Sequence, residues 1–351
     1  MILEVFFILG RNVTGSFSGK IDKVTIKTIA EMAGVSKMTV SRAINHPEMV
    51  RAETLVKIHE VMRKLNYKPR FAARILAGQK SHTIGFIVKS SEDFIIPPFY
   101  GECIKGASDW LKTWNYRAIT FNISDLQGRT LFLDYADSGL IDGLIVFEGT
   151  YEKEFLNILE VNNIPVVLVG EDISETSLHT ISCDNYGGAR EAVEYLVRKG
   201  AKRICHITGM GEKTSYKERE SAYRDVMKKY HLEPFVIRTA NTFKGGREAV
   251  EKLIREYPEC DAIFCFSDIL AIGVIRRLQE LSISVPDKIR VIGFDNIPLS
   301  AYVTPSLTTV SQDMQMMGKI AAEKILHMLS GSKPSRRYTK LSTQLIVRES
   351  A

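Results

Sequence analysis

From residue 83 onward, short apolar runs rich in β-branched residues alternate with longer stretches in which apolar residues recur with the period of a helix. The apolar runs lie at residues 83–88, 117–122, 142–147, 164–169, 180–183, 203–208, 235–239, 262–266 and 289–294, and a last one lies at 340–347. The helical stretches lie near residues 101–114, 151–162, 186–199, 216–230, 246–256, 269–281 and 313–329. This alternation predicts parallel sheets that are covered by helices on both faces. Because so many strands fit better in two sheets than in one, we predict an α/β core of two doubly wound parallel-sheet lobes over residues 81–351.

Residues 25–67 show a different pattern, in which three short helical periods are joined by short loops. The apolar positions that share one face within each period are Ile26, Ile29, Ala30 and Ala33, then Val40, Ala43 and Ile44, then Leu55, Ile58, Met62 and Leu65. This pattern predicts a small all-α headpiece over residues 24–68.

Two further segments flank this headpiece. After Pro69, residues 70–78 form one short helical segment that ends at Gly78, and we predict a hinge helix over residues 69–80. Residues 1–23 show no helical period and end in a stretch rich in turn-forming residues. We therefore expect a disordered lead there, and we hypothesise that it is not native and that translation starts near Val24.

Composition narrows the classes of protein. No apolar run reaches the roughly 18 residues that span a bilayer, and the amino end lacks the basic region of a signal peptide, so we predict a cytoplasmic protein without a membrane partner. The five cysteines are far apart and have no histidine at zinc-ligand spacing, which favours reduced thiols and no bound metal.

Charge is distributed unevenly along the chain. Residues 20–80 hold 13 Lys and Arg against 5 Asp and Glu, a net charge of +8, whereas the remaining residues carry a net charge of −2. A basic headpiece on a slightly acidic body is the pattern expected if the headpiece meets a polyphosphate and the body does not.

Residues 25–45 carry the strongest local signal, which is that of a helix-turn-helix. Ala30 is small where two helices would cross closely, Gly34 permits the turn, and Ser36 is a good N-cap for the second helix. We expect Lys37, Met38, Ser41 and Arg42 to lie on the outer face of that second helix. Early positions of a recognition helix reach base edges in the major groove, where lysine and arginine suit guanine acceptors and Met38 suits a thymine methyl. The alternative is an ordinary helical hairpin with a solvated basic face.

Four motifs carry a resemblance to a known family: Thr-Ile-x-x-Ile-Ala-x-x-Ala-Gly-Val-Ser at 25–36, Thr-Val-Ser-Arg-x-x-Asn at 39–45, Asn-Tyr-Lys-Pro at 66–69 and Ala-Arg-Ile-Leu-Ala-Gly at 73–78. On these motifs, the chain from residue 24 to 349 resembles the lactose-repressor (LacI/GalR) family of bacterial transcription regulators. The resemblance implies a homodimer on double-stranded, palindromic operator DNA, with paired hinge helices that place Leu76 in the minor groove and bring the small Ala73 to their contact. The DNA-binding residues it implies are Thr25, Ser36, Lys37, Met38, Thr39, Ser41, Arg42, Asn45, Tyr67, Ala73 and Leu76.

Two departures from the family pattern limit this assignment. Arg51 stands where many relatives have a serine that caps the third headpiece helix, which puts that cap in doubt and makes a phosphate contact conceivable. The pair Lys37-Met38 does not identify an operator, so the base preference stays open.

The resemblance also implies a core like that of periplasmic sugar-binding proteins, with two lobes crossed by three segments of chain and a small ligand between them. Independently, open α/β sheets bind ligands beyond the carboxyl ends of their strands. The candidate effector-binding residues from the two arguments are Phe99, Tyr100, Glu171, Asn185, Arg219, Phe243, Asp268 and Asp295. The resemblance gives three of them roles: Arg219 grips the effector, Asp295 of the Gly-Phe-Asp sequence at 293–295 binds its hydroxyls or amines, and Phe243 stacks on it. Ala222 departs from the family glycine and weakens the assignment of Arg219.

Each of these residues also has a purely structural interpretation. Acidic residues at strand ends often cap the following helix, and the aromatic residues could belong to the core. Carboxylates, an arginine and flat rings together suit a sugar, because charged groups bind vicinal hydroxyls while rings cover the apolar face. We therefore expect a sugar or sugar derivative as effector, with a purine or another metabolite as the alternative.

Enzyme chemistry finds little support. The segment 209–214 follows a strand but fits neither phosphate-loop pattern, no nucleophile elbow or metalloprotease motif is present, and His206 within a strand is typical of a core residue. We predict a transcription regulator, with repression favoured, that is not an enzyme and needs no cofactor. The remaining alternative, a sugar-binding protein without DNA function, would require an export signal and no basic headpiece.

Overall fold

The computed structural model describes residues 24–45, 47–65, 67, 80–147, 164–170, 178–211, 213–332 and 336–351. The chain divides into two compact units, Met1–Gln79 and Lys80–Ala351. The described part of the first unit is all helical, and that of the second is α/β.

The described residues of the first unit form three helices, α1 (Ile26–Ala33), α2 (Lys37–Asn45) and α3 (Ala52–Lys64), with a 3-10 turn at Pro47–Met49. Its buried centre consists of Ile29, Ala30, Val40, Ala43 and Ile58. Helices this short are marginal alone, so packing of their apolar faces stabilises them. This is the three-helix domain that the periodicity predicts.

In the second unit, the described strands form two six-stranded sheets. The first sheet has the order β11-β5-β4-β3-β1-β2, with all neighbours parallel, and its strands are β1 (Thr83–Val88), β2 (Arg117–Asn122), β3 (Gly143–Phe147), β4 (Val166–Val169), β5 (His179–Cys183) and β11 (Tyr338–Leu341). The second sheet has the order β12-β10-β9-β8-β6-β7, and its strands are β6 (Ile204–Gly209), β7 (Phe235–Thr239), β8 (Ala262–Cys265), β9 (Arg290–Asp295), β10 (Thr308–Gln312) and β12 (Thr343–Ile346). Its neighbours are parallel except β12, which runs antiparallel to β10. The predicted pair of parallel-sheet lobes is confirmed.

Helices cover both sheets. Those packed in the first lobe are α4 (Pro98–Thr113), α5 (Leu126–Asp137) and α10 (Met314–Leu329). Those packed in the second lobe are α6 (Asn185–Arg198), α7 (Thr214–Lys229), α8 (Phe243–Glu256) and α9 (Asp268–Glu280). In the part of the core that the structure describes, the chain passes between the lobes at Asp184, Asp313 and Ser342, and the resemblance implies three such crossings.

Three elements differ from the predicted pattern. Helix α5 was not predicted, because its apolar residues do not share one face: Phe132 is fully buried while Leu126 is 80% exposed. Strand β10 was not predicted, because it is mostly polar. The predicted single run at 340–347 is two strands, since the chain leaves one sheet at Leu341 and enters the other at Thr343.

Several findings bear on chemistry in general. Within the described ranges, no helix is both long and apolar enough to cross a bilayer. The same residues offer no group of three or more metal-ligating side chains arranged around an ion. All five cysteines are free and buried, and burial raises the pKa of the Cys265 thiol well above its usual range, which keeps it protonated and unreactive.

Candidate functional site

The turn between α1 and α2 is built as a helix-turn-helix requires. Gly34 ends α1 in the left-handed conformation, with φ of +69°, which glycine adopts without a steric penalty. Ser36 then caps α2, since its Oγ accepts a hydrogen bond of 3.0 Å from the Thr39 backbone N–H. The two residues together fix the angle at which α2 leaves α1.

Helix α2 has a buried face and an exposed face. Val40 and Ala43 are buried, whereas Lys37, Met38 and Arg42 are exposed. Met38 is 64% exposed. The exposed face therefore offers two cations and one apolar contact to a partner.

The other predicted DNA-binding residues have varied surroundings. Thr25 caps α1 in a reciprocal pair with Thr28, and Thr39 and Ser41 are half-buried. Tyr67 is half-buried against the headpiece core, and its N–H donates to Met62 O at 2.8 Å. Asn45 is the last residue of α2. Ala73 and Leu76 lie outside the described residues, as does most of the predicted hinge.

A cavity of about 230 Å³ lies between the two lobes of the core. Five of the predicted effector-binding residues line it, and they come from both lobes: Phe99, Tyr100, Asn185, Arg219 and Asp295. Most of them lie beyond the carboxyl ends of parallel strands, where ligands bind in open α/β folds. The structure thus brings together residues that are far apart in the sequence.

Arg219 is the most constrained charged group in the cavity. It is buried, and its Nε donates to Asn185 Oδ1 at 2.9 Å while its Nη1 donates to Phe266 O at 2.5 Å. Its Nη1 lies 3.6 Å from Asp295 Oδ1, and its guanidinium carbon lies 3.5 Å from the centre of the Phe294 ring. These contacts hold the guanidinium plane still, which suits bidentate recognition of oxygen atoms.

Asp295 ends β9 with an unusual backbone. Its φ is +119°, and the φ of Asn296 is +56°. A non-glycine residue with such a φ costs on the order of 1–3 kcal/mol, and conformations of this kind cluster at binding sites. The Asp295 carboxylate accepts a hydrogen bond of 2.6 Å from Gln312 Nε2. The backbone conformation and this hydrogen bond together fix an acidic group on the cavity wall.

Aromatic rings form the wall on the side of the first lobe. Tyr100 stacks on Phe147, with ring centres 4.7 Å apart and planes inclined by 22°, and Phe99 meets Tyr100 edge-on. Phe99 and Tyr100 also pack against the core of this lobe. They therefore combine the two interpretations left open by the sequence, as core residues that also line the cavity.

Asp268 does not line the cavity. Its carboxylate is fully buried, where it accepts hydrogen bonds from the Ile297 N–H at 2.9 Å and from Thr309 Oγ1 at 2.5 Å. Burial, followed by repulsion from Asp295, raises the pKa of Asp268 well above its usual range. This acid ties α9 to the segment after β9 and to β10, which is a structural role.

Phe243 does not line the cavity either. It is the first residue of α8, and its ring packs 5.6 Å from that of Phe94 of the first lobe. Its backbone N–H donates to Asp93 Oδ2 at 2.8 Å, so the residue joins the two lobes. Glu171, the remaining candidate, lies outside the described residues.

Sequence reasoning missed several residues of the cavity wall, among them Lys89, Ser90, Lys213, Asn241 and Gln312. The rule that ligands bind after parallel strands could have found Lys89 and Ser90 after β1, and Asn241 after β7. Gln312 had no signal, because it belongs to the strand that the pattern did not predict.

A helix-turn-helix with an exposed basic face, carried on one chain with a two-lobed α/β core, defines a DNA-binding regulatory protein. The family model for bacterial regulatory proteins of the lacI family matches residues 25–70, and the model for a periplasmic binding protein-like domain matches residues 193–351. The chain belongs to the lacI family of bacterial regulatory proteins.

Curated relatives match over nearly their whole length. The probable HTH-type transcriptional repressor ExuR of Bacillus subtilis (strain 168) is 31% identical over 331 residues, covering 93% of this chain and 98% of the relative. The HTH-type transcriptional repressor PurR of Aliivibrio fischeri (strain MJ11) is 31% identical, with the same coverages. Catabolite control protein A of Priestia megaterium is 30% identical, covering 93% and 99%. The chain is accordingly a DNA-binding transcriptional regulator.

Solved structures share the fold. The lac repressor dimer bound to operator and the anti-inducer ONPF matches with a TM-score of 0.80 and 23% identity, covering 93% of this chain and 98% of that one. The complex of the transcriptional regulator CelR with cellobiose matches with a TM-score of 0.72 and 24% identity, covering 94% and 100%.

Proposed function

We propose that this regulator is a cytoplasmic repressor that binds a palindromic operator as a homodimer. We further propose that a small-molecule effector, a sugar or sugar derivative, binds in the cavity between the core lobes and sets operator affinity. The observation that carries the proposal is the interlobe cavity, because strained, buried and charged groups from distant parts of the chain converge there.

The exposed face of α2 supports the DNA part of the proposal. Lys37, Met38 and Arg42 would face the major groove, and Leu76 of the hinge would enter the minor groove. The similarity to a lac repressor dimer on its operator supports paired headpieces. A two-fold arrangement of headpieces reads two half-sites, so the operator would be palindromic.

The make-up of the cavity supports a sugar. Arg219, Asp295 and Asn185 offer charged and amide groups for hydroxyls, while Tyr100 and Phe99 offer apolar faces. The volume of about 230 Å³ is below the usual range for drug-sized ligands, so a small molecule such as a monosaccharide fits it better than a larger one. The related CelR structure contains cellobiose.

Linkage would connect the two sites. An effector that binds one arrangement of the lobes more tightly shifts the population toward it, and operator DNA changes effector affinity by the same factor. A coupling of about 1–3 kcal/mol is typical and corresponds to a change in operator affinity of about 5- to 150-fold.

A thermal-shift screen tests the placement of the effector. The full chain is screened against monosaccharides and nucleobases, and a true effector at a hundred times its Kd is expected to raise Tm by roughly 5 °C. Arg219→Ala and Asp295→Ala should abolish the shift, whereas Arg190→Ala, an exposed arginine on α6, should leave it unchanged. If the rise in Tm persists in both cavity variants, the proposed effector site is wrong. If purine bases raise Tm and no monosaccharide does, the effector is a purine and not a sugar.

A further inference from the structure

The interlobe cavity is bounded on one side by the chain crossings. Cys183 and Asn185 line the cavity on either side of the crossing at Asp184, and Gln312, also in the wall, directly precedes the crossing at Asp313. The two lobes are covalently joined along this side of the cavity. A rotation of the lobes about the crossings would therefore open the cavity elsewhere along its rim.

The loop after β1 joins the lobes at a second place on the rim of the cavity. Ser91 and Pro97 of this loop line the cavity from the first lobe, and Asn241, two residues before α8, lines it from the second. Asp93 lies between Ser91 and Pro97 in the chain, and its Oδ2 accepts a hydrogen bond of 2.8 Å from the Phe243 N–H. This hydrogen bond therefore crosses from one lobe to the other beside the cavity.

An aromatic pair reinforces the hydrogen bond. The ring centres of Phe94 and Phe243 lie 5.6 Å apart with their planes inclined by 59°, a tilted arrangement that aromatic pairs favour. Both rings also pack against the core of the first lobe, although Phe243 belongs to the second. We call Asp93, Phe94 and Phe243 the interlobe clasp.

We propose that the loop after β1 is a gate on the interlobe cavity, and that the interlobe clasp holds this gate shut. The hydrogen bond and the ring contact join the same loop to the same helix start, so both break when the lobes separate there. A molecule enters or leaves the cavity while the clasp is open, and the strength of the clasp sets how often that occurs. The inference rests on the proposed function, because it concerns access to the same cavity.

Cys183 can report whether the cavity is open. It lines the cavity and is 2% exposed, so a thiol reagent reaches it poorly while the lobes are together. Cys103 and Cys265 are fully buried in the cores of the first and the second lobe, and they become accessible only when a lobe unfolds. Alkylation of the full chain with iodoacetamide, followed by mass spectrometry of the cysteine peptides, measures all three rates in one sample.

Loss of the clasp should accelerate the reaction at Cys183 and leave Cys103 and Cys265 unchanged. Asp93→Ala should raise the Cys183 rate by about tenfold, since a hydrogen bond to a charged group is worth at least about a factor of ten. Phe94→Ala should also raise it, because the ring pair and its buried area are lost.

Two further variants make this test specific. Asp93→Asn keeps an acceptor oxygen without the charge, so it should give a smaller acceleration, and it keeps the test available if the alanine variant does not fold. Asp109→Ala is the matched control, because Asp109 is an exposed aspartate on α4 of the same lobe. Circular dichroism confirms that each variant is folded.

The outcomes separate the gate from the function of the cavity. If Cys183 reacts at the wild-type rate in the Asp93 variants or in Phe94→Ala, the clasp does not hold the cavity shut and the inference is wrong. It is also wrong if Cys183, Cys103 and Cys265 accelerate together, because the substitution then loosens the lobes themselves. Neither result bears on the proposed effector site, which fails instead if ligand binding does not depend on Arg219 or Asp295.

Discussion

His206 is a fully buried histidine in the middle of β6. Its Nδ1 lies 2.9 Å from Phe264 O, and because a carbonyl can only accept, we assign the hydrogen to Nδ1. Its Nε2 has no partner in the described structure, and its ring stacks on that of Phe264. The sequence predicts this residue to belong to the core, and its burial agrees with that.

The buried ring makes folding depend on pH. Burial lowers the pKa of His206 from 6.5 to about 4, so between these values the unfolded chain binds a proton that the folded chain does not. Stability is therefore lost as pH falls from 6.5 toward 4. Because of this residue, the free energy of unfolding should be about 2 kcal/mol lower at pH 5 than at pH 7.5. Urea unfolding of the wild type and of His206→Gln at both pH values measures this loss of stability. If the stability of the two proteins depends on pH in the same way, the prediction is wrong.

At the level of elements, α3 begins without a side-chain cap. Arg51 occupies the N-cap position and makes no capping hydrogen bond, so the departure noted in the sequence has a structural counterpart. Helices α1 and α2, by contrast, are capped by Thr25 and Ser36, whose hydroxyl oxygens both accept a hydrogen bond from a backbone N–H.

Arg51→Ser should stabilise α3 by about 1 kcal/mol, because serine supplies the missing acceptor. Hydrogen exchange of the amides in the first turn of α3, measured on the full chain, should slow accordingly. Arg51→Ala, which removes the guanidinium without adding an acceptor, is the control. Equal exchange rates in the serine and alanine variants would show that capping is not the cause.

The start of α8 is held from the opposite lobe. Asp93 accepts from the Phe243 N–H, and the carboxylate also lies favourably at the positive end of the helix dipole. Phe94, the next residue, packs on the Phe243 ring. Together these contacts clasp the loop after β1 to the second lobe.

Asp93→Ala should remove the hydrogen bond between the loop after β1 and the start of α8, and it should expose the Phe243 amide. Its hydrogen exchange should accelerate by roughly tenfold, as expected for a lost charge-assisted hydrogen bond. Asp93→Asn keeps an acceptor oxygen without the charge and should give an intermediate rate. Unchanged exchange in the alanine variant would mean that packing of Phe94 alone keeps the lobes together there.

The sequence predicts the headpiece, the two lobes and most strands because those elements carry clear apolar periodicity. The apolar pattern does not predict strand β10, because Thr308 and Thr309 are buried polar residues whose hydroxyls form hydrogen bonds with partners 40 or more positions away. The same limit applies to the site. The acid in Asp295 could be predicted from its strand end, but nothing local distinguishes it from Asp268, which turns inward to bind Thr309.

At the scale of the whole molecule, the uneven charge has a measurable consequence. Binding to operator DNA should weaken steeply between about 50 and about 200 mM salt, because the basic headpiece releases counterions from the phosphates. Fluorescence anisotropy with labelled DNA gives the slope. Lys37→Gln, which removes a contact to a base edge, should weaken operator binding and relax the base specificity at that position, whereas Lys228→Gln on the surface of the α/β core should change neither. If the affinity of the wild type for DNA does not depend on salt concentration, the headpiece does not bind through the phosphates.

The strands β11 and β12 connect the fold to the order in which the chain is made. Each of the two sheets takes one strand from beyond residue 337, and Ser350 bonds to Val291 O and to the Thr308 N–H of the second lobe. During synthesis, therefore, the headpiece can fold on the ribosome early, but neither lobe can be completed until β11 and β12 have emerged. A chain that stops before residue 338 would carry a finished DNA-reading helix and two unfinished sheets. It could occupy DNA, but it would have no intact sensor to control that occupancy.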